Sequence, residues 1–141
     1  MSFAAAEAAV RAYFASHWGN LTPVAWPDLE FEPPACTWVR FSMSAAAGYQ
    51  ASMGNPGNNK FRREGVITIQ IFQPQGMAGT DARAKADSAA DIFISPNKLA
   101  GFRFEDVVAK PVEQSRGVTG ENGSAYYQWN VTVIYKYDIV T

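Results

Sequence analysis

One cysteine and one histidine are all that 141 residues provide of the side chains that most often attack, shuttle protons or hold metals. Cys36 has no second thiol for an internal disulfide, a CxxC redox pair or a cysteine zinc site, and its expected role is that of a small buried hydrophobe. His17 has no second imidazole with which to share a metal, and its place beside Trp18 reads as packing or a helix-end charge. Charge excess is missing too: 12 Lys and Arg stand against 13 Asp and Glu, interspersed, for a net charge of −1. That balance lacks the basic footprint of a protein that reads DNA or RNA. No apolar run approaches the ~20 residues that span a bilayer. The start, Met1-Ser2-Phe3-Ala4-Ala5-Ala6-Glu7, has no basic flank and sets a glutamate where a secretory core would be apolar. The expectation is a chain that folds in a cytoplasm, with the Asn-x-Ser/Thr triplets at Asn20, Asn122 and Asn130 as chance matches. The glycine pairs Gly54 and Gly57, Gly76 and Gly79, and Gly117 and Gly120 contain no phosphate-loop Gly-Lys-Ser/Thr and no Gly-x-Gly-x-x-Gly, and so read as turns.

What is present is a regular alternation of elements in a chain that is 48% hydrophobic, without a composition shift that would mark a second unit; residues 1–141 read as a single domain. Ser2 is a candidate cap for a first helix, in which Phe3, Val10, Phe14 and Trp18 share a face until Gly19-Asn20 stops it. Residues 21–34 hold four prolines with Trp26 and Phe31, a connector with room for an edge strand. Val39, Phe41 and Met43 alternate with Trp38, Arg40 and Ser42 in a half-buried strand over 37–43. Ile67, Ile69 and Ile71 alternate with Thr68 and Gln70 in a second strand, buried on one side and expected to pair with the first.

Pro74, Gly76 and Gly79 break that pattern, and Thr80 can cap a second helix with Ala82, Ala86, Ala89 and Phe93 on one face, ended by Pro96. Small alanines let such a helix lie close on a sheet. Asp81, Asp87 and Asp91 fall on its solvated side, with Arg83 and Asp87 spaced for an ion pair. Residues 102–114 alternate imperfectly, and Pro111 marks them as an edge strand or a bulge. The last strand sets Tyr127, Trp129, Val131, Val133, Tyr135 and Tyr137 on one face and makes a hairpin with the segment before it. The order helix, strand, strand, helix, strand, strand predicts an α+β fold: a mainly antiparallel sheet packed against an N-terminal helix and a central amphipathic helix.

Between the first two strands, residues 44–60 are polar and glycine-rich, a long loop of the kind that is either functional or idle. Tyr49, Met53 and Phe61 favour function, since purely solvating loops seldom carry such side chains. Lys60, Arg62 and Arg63 form a small basic run that is either solvated or poised to meet an acidic neighbour. No pairing of groups anywhere suggests proton transfer, nucleophilic attack or metal binding, and no cofactor is expected.

The ordered set of pieces resembles the tail-terminator, or tail-completion, proteins of long-tailed bacteriophages, in particular the terminator-like group found in prophages. The resemblance lies in the N-terminal helix ending at Trp18-Gly19, the strand Trp38-Val39-Arg40-Phe41, the glycine-rich insertion, Gly65-Val66-Ile67-Thr68-Ile69-Gln70-Ile71-Phe72 followed by Gly76, and the alanine-rich helix from Asp81 to Phe93. It implies a structural virion protein and no enzyme: a homo-oligomeric ring, typically a hexamer, that closes the tail tube, meets the tail-tube protein and a head-completion protein, and lets DNA pass without reading it. It implies a place in the virion tail and no membrane. It assigns no role to any single residue. Heterologous contact around a ring suits a protruding arm, and Tyr49, Met53, Lys60, Arg62 and Arg63 are the candidate residues for contact with a neighbouring subunit or the tail tube. The rival readings are a head-to-tail connector component and a small-molecule binding domain or enzyme with Trp26, Trp38, Tyr126 and Trp129 around a pocket.

Overall fold

The computed structural model describes residues 3–19, 21–26, 36–50, 54, 57, 59–74, 80–94, 101–112 and 126–140. They form helix α1 (Phe3–Trp18), strands β1 (Val24–Ala25), β2 (Trp38–Gln50) and β3 (Lys60–Pro74), helix α2 (Thr80–Ile94), and strands β4 (Phe102–Val112) and β5 (Tyr126–Val140). The strands make one sheet in the order β1-β2-β3-β5-β4, antiparallel except for β1, which runs parallel to β2. The fold is α+β, and the isoleucine strand pairs with the strand before it as its alternation predicts.

The core lies between one face of the sheet and the two helices. Ile67, Ile69 and Ile71 are wholly buried, facing Met43, Phe41 and Val39 on β2 and Val133, Val131 and Trp129 on β5. From α1 come Val10, Phe14 and Trp18, with Phe14 stacked on Phe41 at 5.4 Å. From α2 come Ala82, Ala86 and Ala89, whose small side chains bring the helix down onto β3, β5 and β4. Phe93 closes the layer, meeting Phe104 edge-on at 5.0 Å. Each fully buried large side chain contributes roughly 1.5–3 kcal/mol.

The helix ends are tied by specific donors. Gly19 takes φ +61 and returns its amide to Ala15 at 3.0 Å, the left-handed residue that stops α1. At the start of α2 the Ala82 amide donates to Gln73 Oε1 at 2.7 Å, so the side chain of a strand residue, buried at the end of β3, satisfies a first-turn donor of the helix. Thr37 donates its hydroxyl to Asp81 at 2.5 Å and fastens the same turn to the entrance of β2.

Several expectations are corrected. Residues 44–60 are not loop throughout: β2 runs on to Gln50, in register with β3 back to Phe61, across an irregularity between Ala45 and Ala47. The extra residue of such a bulge lets the chain add a strand where alternation is broken by small residues. The isoleucine strand is not buried on one side only, because Phe72 stacks on Trp38 at 4.4 Å on the opposite face, with the Arg40 guanidinium 5.2 Å from the Phe72 ring centre. Cys36 is exposed, because it precedes the first residue of β2 and has no layer to enter. The ion pair on α2 joins Lys85 to Asp81 at 3.7 Å; Arg83 and Asp87 do not pair. Pro111 does lie on an edge strand, and β4 is irregular between Glu105 and Val108, where Asp106 takes φ +48.

A candidate assembly surface on the sheet arm

β3 and β5 pair over 15 consecutive positions, from Lys60 opposite Val140 to Pro74 opposite Tyr126, a ladder of about 50 Å at the usual rise per residue. β4 stops at Phe102, opposite Tyr137. Residues 44–50, 60–64 and 136–140 form an arm at one end of the sheet, three-stranded beyond Tyr137, where β4 has ended. Burial falls off along it: Ile67 is fully buried, Phe61 to Glu64 are half-buried, and Ser44, Ala45, Ala46 and Gly48 are exposed.

At the base of the arm Tyr135 crosses β3 at Gly65. Its ring and hydroxyl occupy the space a Cβ would need, at 2.2–2.3 Å, and the hydroxyl donates to the Ser44 carbonyl at 3.1 Å, so three strands are joined by one side chain over a glycine. Burial first, then Tyr137 and Glu7 beside it, push the Tyr135 hydroxyl up to about 12. Next to it lies an open groove of about 370 Å³ lined by Ala45, Ala46, Gly48, Phe61, Arg63, Glu64, Tyr135 and Tyr137.

The other face of the arm is ionic. Arg62 binds Asp138 with two hydrogen bonds, Nε to Oδ1 at 2.8 Å and Nη2 to Oδ2 at 3.2 Å. Lys136 reaches Glu105 at 3.1 Å and Glu64 at 3.5 Å, linking β4, β5 and β3. Hydrogen bonding and attraction to Glu105 lead in raising the Lys136 ammonium above its ordinary range. Cross-strand pairs of this kind contribute a few tenths to 1 kcal/mol each and fix register.

Of the residues singled out in the sequence, Arg62 and Arg63 are brought to the arm but to opposite faces: Arg62 to the ionic face, Arg63 to the groove, 5.9 Å from the Phe61 ring centre. Tyr49 stands in register with Arg62, and Lys60 opposite Val140. Met53 lies outside the described residues. Tyr135, Tyr137 and the small residues Ala45, Ala46 and Gly48 were not singled out. Their signals were a glycine inside a β-branched strand and a run of small side chains where polar ones would be ordinary.

The rival pocket does not form. Trp26 packs at 5.4 Å on Phe41 within the core, Trp129 faces the same layer, and Trp38 lies on the opposite side of the sheet; the side chain of Tyr126 is outside the described ones. His17 is exposed, and its Nδ1 donates to the Tyr13 carbonyl at 2.9 Å. Among the described residues no group of three or more His, Cys, Asp or Glu could hold a metal ion, and no helix is long and apolar enough to cross a membrane.

The described residues thus form a sheet with helices on one face and an arm extending at one end. The family described as phage tail terminator protein matches residues 5–135. The chain belongs to that family, and its role is that of a structural component of phage tails. One solved chain, 22% identical, superposes with a TM-score of 0.58 over 96% of this chain and 95% of its own, which shows a shared fold. No curated protein matches.

Proposed function

We propose that this protein caps the tail tube as a ring of copies, six by the habit of such assemblies, ends tail elongation and offers the surface to which the head joins. Family membership over residues 5–135 carries the reading. The arm supports it: a ring requires one surface of a subunit to meet a different surface of the next, and an exposed three-stranded projection supplies one of the two. In this reading Tyr49, Met53, Lys60, Arg62 and Arg63 contact the adjacent subunit or the tail-tube protein. A head-completion protein binds the outer rim. DNA passes through without sequence-specific contact, consistent with a net charge of −1. The subunits fold in the host cytoplasm before joining the virion tail.

The test is a phage or prophage lacking this gene, viewed by electron microscopy. Abnormally long tails are the expected result. Normal free tails beside filled heads would assign the protein to the head-to-tail connector and overturn the terminator role. In purified form, light scattering at several concentrations, alone and with tail-tube protein, should register a ring mass.

A further inference from the structure

We propose that neighbouring copies join edge to edge, the outer edge of β2 in one copy pairing antiparallel with the outer edge of β4 in the next, so that one sheet runs on from subunit to subunit. The inference rests on the ring reading above and names the two surfaces that meet.

The sheet has two borders, and both are open along a matching stretch. On one side β1 pairs with β2 only at Val39 and Arg40, so among the described residues nothing meets the outer backbone groups of β2 from Ser42 to Gly48. On the other side β4 is the last strand, and among the described residues nothing meets its outer groups from Phe102 to Val108. Ser44, Ala45, Ala46 and Gly48 are exposed in the first stretch, Arg103, Asp106 and Val108 in the second. A row of unpaired N–H and C=O groups is a template for another strand, and proteins guard such rows with charge, proline or a bulge. From Ser42 to Gly48 there is no charge and no proline, and the irregularity between Ala45 and Ala47 is what guards it.

The occupant follows from how the strands run and where they end. β2, β3, β5 and β4 alternate in direction, so β2 and β4 point opposite ways. A copy turned about a ring axis therefore brings its β4 to β2 antiparallel, with the helices of both copies on one side of the joined sheet. Pairing through the sheet puts Gly48, Arg63, Tyr137 and Phe102 in one row and Ser42, Thr68, Thr132 and Val108 in another, so the two open stretches cover the same rows. Each spends an extra residue on the way, at the irregularities between Ala45 and Ala47 and between Glu105 and Val108. The rows beyond agree as well. Val39 and Arg40, which β1 already holds, share their rows with Pro111 and Lys110. The proline, with no N–H to give, thus falls where the next copy's edge is already taken.

Charge sorts the alternatives. Two β4 edges paired about a two-fold axis would set Glu105 against Glu105 at the middle of the open stretch, a like-charge contact that opposes pairing. Two β2 edges meet no such repulsion, but they leave β4 open and close no ring. The uncharged stretch of β2 accepts β4 with no like charges opposed, and the joint covers Val108, an apolar side chain 40% exposed in the subunit.

The experiment is disulfide trapping in the full chain, with the exposed Cys36 removed as Cys36→Ser and with Ser42→Cys and Val108→Cys introduced singly and together. Carried straight across the joint, Val108 of one copy lies opposite Ser42 of the next, within the reach of a disulfide between paired strands. Oxidation is carried out where light scattering registers assembly, alone or with tail-tube protein. The double variant should link into a ladder that climbs past the dimer on a non-reducing gel and collapses to monomer on reduction, while each single variant stays unlinked. Val108→Lys, which puts a charge on the joint and leaves the core untouched, should weaken assembly ~tenfold or more with the melting temperature unchanged. Links from either single variant, a ladder that stops at the dimer, or no links in a sample of ring mass overturns the proposal and leaves the ring standing. Assembly of Val108→Lys at wild-type strength does the same. A wild-type chain that stays monomeric even with tail-tube protein overturns both.

Discussion

At the scale of single residues, Gly65 shows how one missing side chain holds a junction together. Any Cβ there meets the Ser44 carbonyl and the Tyr135 ring at 2.2–2.3 Å, so a substitution must push a whole tyrosine or a backbone strand aside. Gly65→Ala is expected to cost ~1–3 kcal/mol or more, in the range of overpacked cores, and a shifted urea midpoint would measure it. Tyr135 adds a pH dependence. Its folded-state value of about 12 lies above the ordinary tyrosine value, so the folded chain keeps a proton that the unfolded chain loses first. Lys136 is raised as well, chiefly by Glu105. Both contributions are complete at neutral pH and are lost as pH climbs above ~10, the ordinary range of these groups. Unfolding midpoints should hold steady to about pH 9 and then fall, less steeply in Tyr135→Phe, as a urea series at stepped pH would register.

At the scale of elements, the helices and the hydrophobic strands were legible because their periods are unmistakable: the isoleucine alternation and the Ala82-Ala86-Ala89-Phe93 stripe land where expected. The arm was not, because Ser44, Ala45, Ala46 and Gly48 carry no β propensity and pair only through the partner strands they meet. The contact of Phe72 with Trp38 on the far face was hidden for a different reason: nothing local to a strand tells which residue will lie opposite. Arg62 and Arg63 read as one basic run, yet the two-residue period of a strand sends them to opposite faces. Gln73 was likewise invisible as a helix cap, since it belongs to the preceding strand and acts across 9 residues. Gln73→Ala should expose that role, leaving the Ala82 amide buried and unpaired at a cost of ~1–3 kcal/mol. Hydrogen exchange at Ala82 should quicken with it, ahead of exchange in the rest of α2.

At the scale of the whole molecule, the arm and the helical layer divide the labour. The layer holds the core, and the arm extends past it with exposed small residues at Ser44, Ala45, Ala46 and Gly48, the surface that the proposed ring would use. Replacing residues 51–58 by a tight turn, which spares both paired strands, should leave the melting curve intact; removing 48–58 as well should retain a folded subunit and abolish ring mass in light scattering. The sheet order carries a separate consequence. β5 is inserted between β3 and β4, although β4 precedes it in the chain. β4 finds no partner until residues 128–137 of β5 have been made, and until then β3 has an open hydrophobic edge. A polypeptide halted before Tyr126 should accordingly show no cooperative melting by circular dichroism. The topology makes the sheet all-or-none along the chain: a copy that stops short of its last strand lacks the central partner of both β3 and β4, and so has no finished sheet to present.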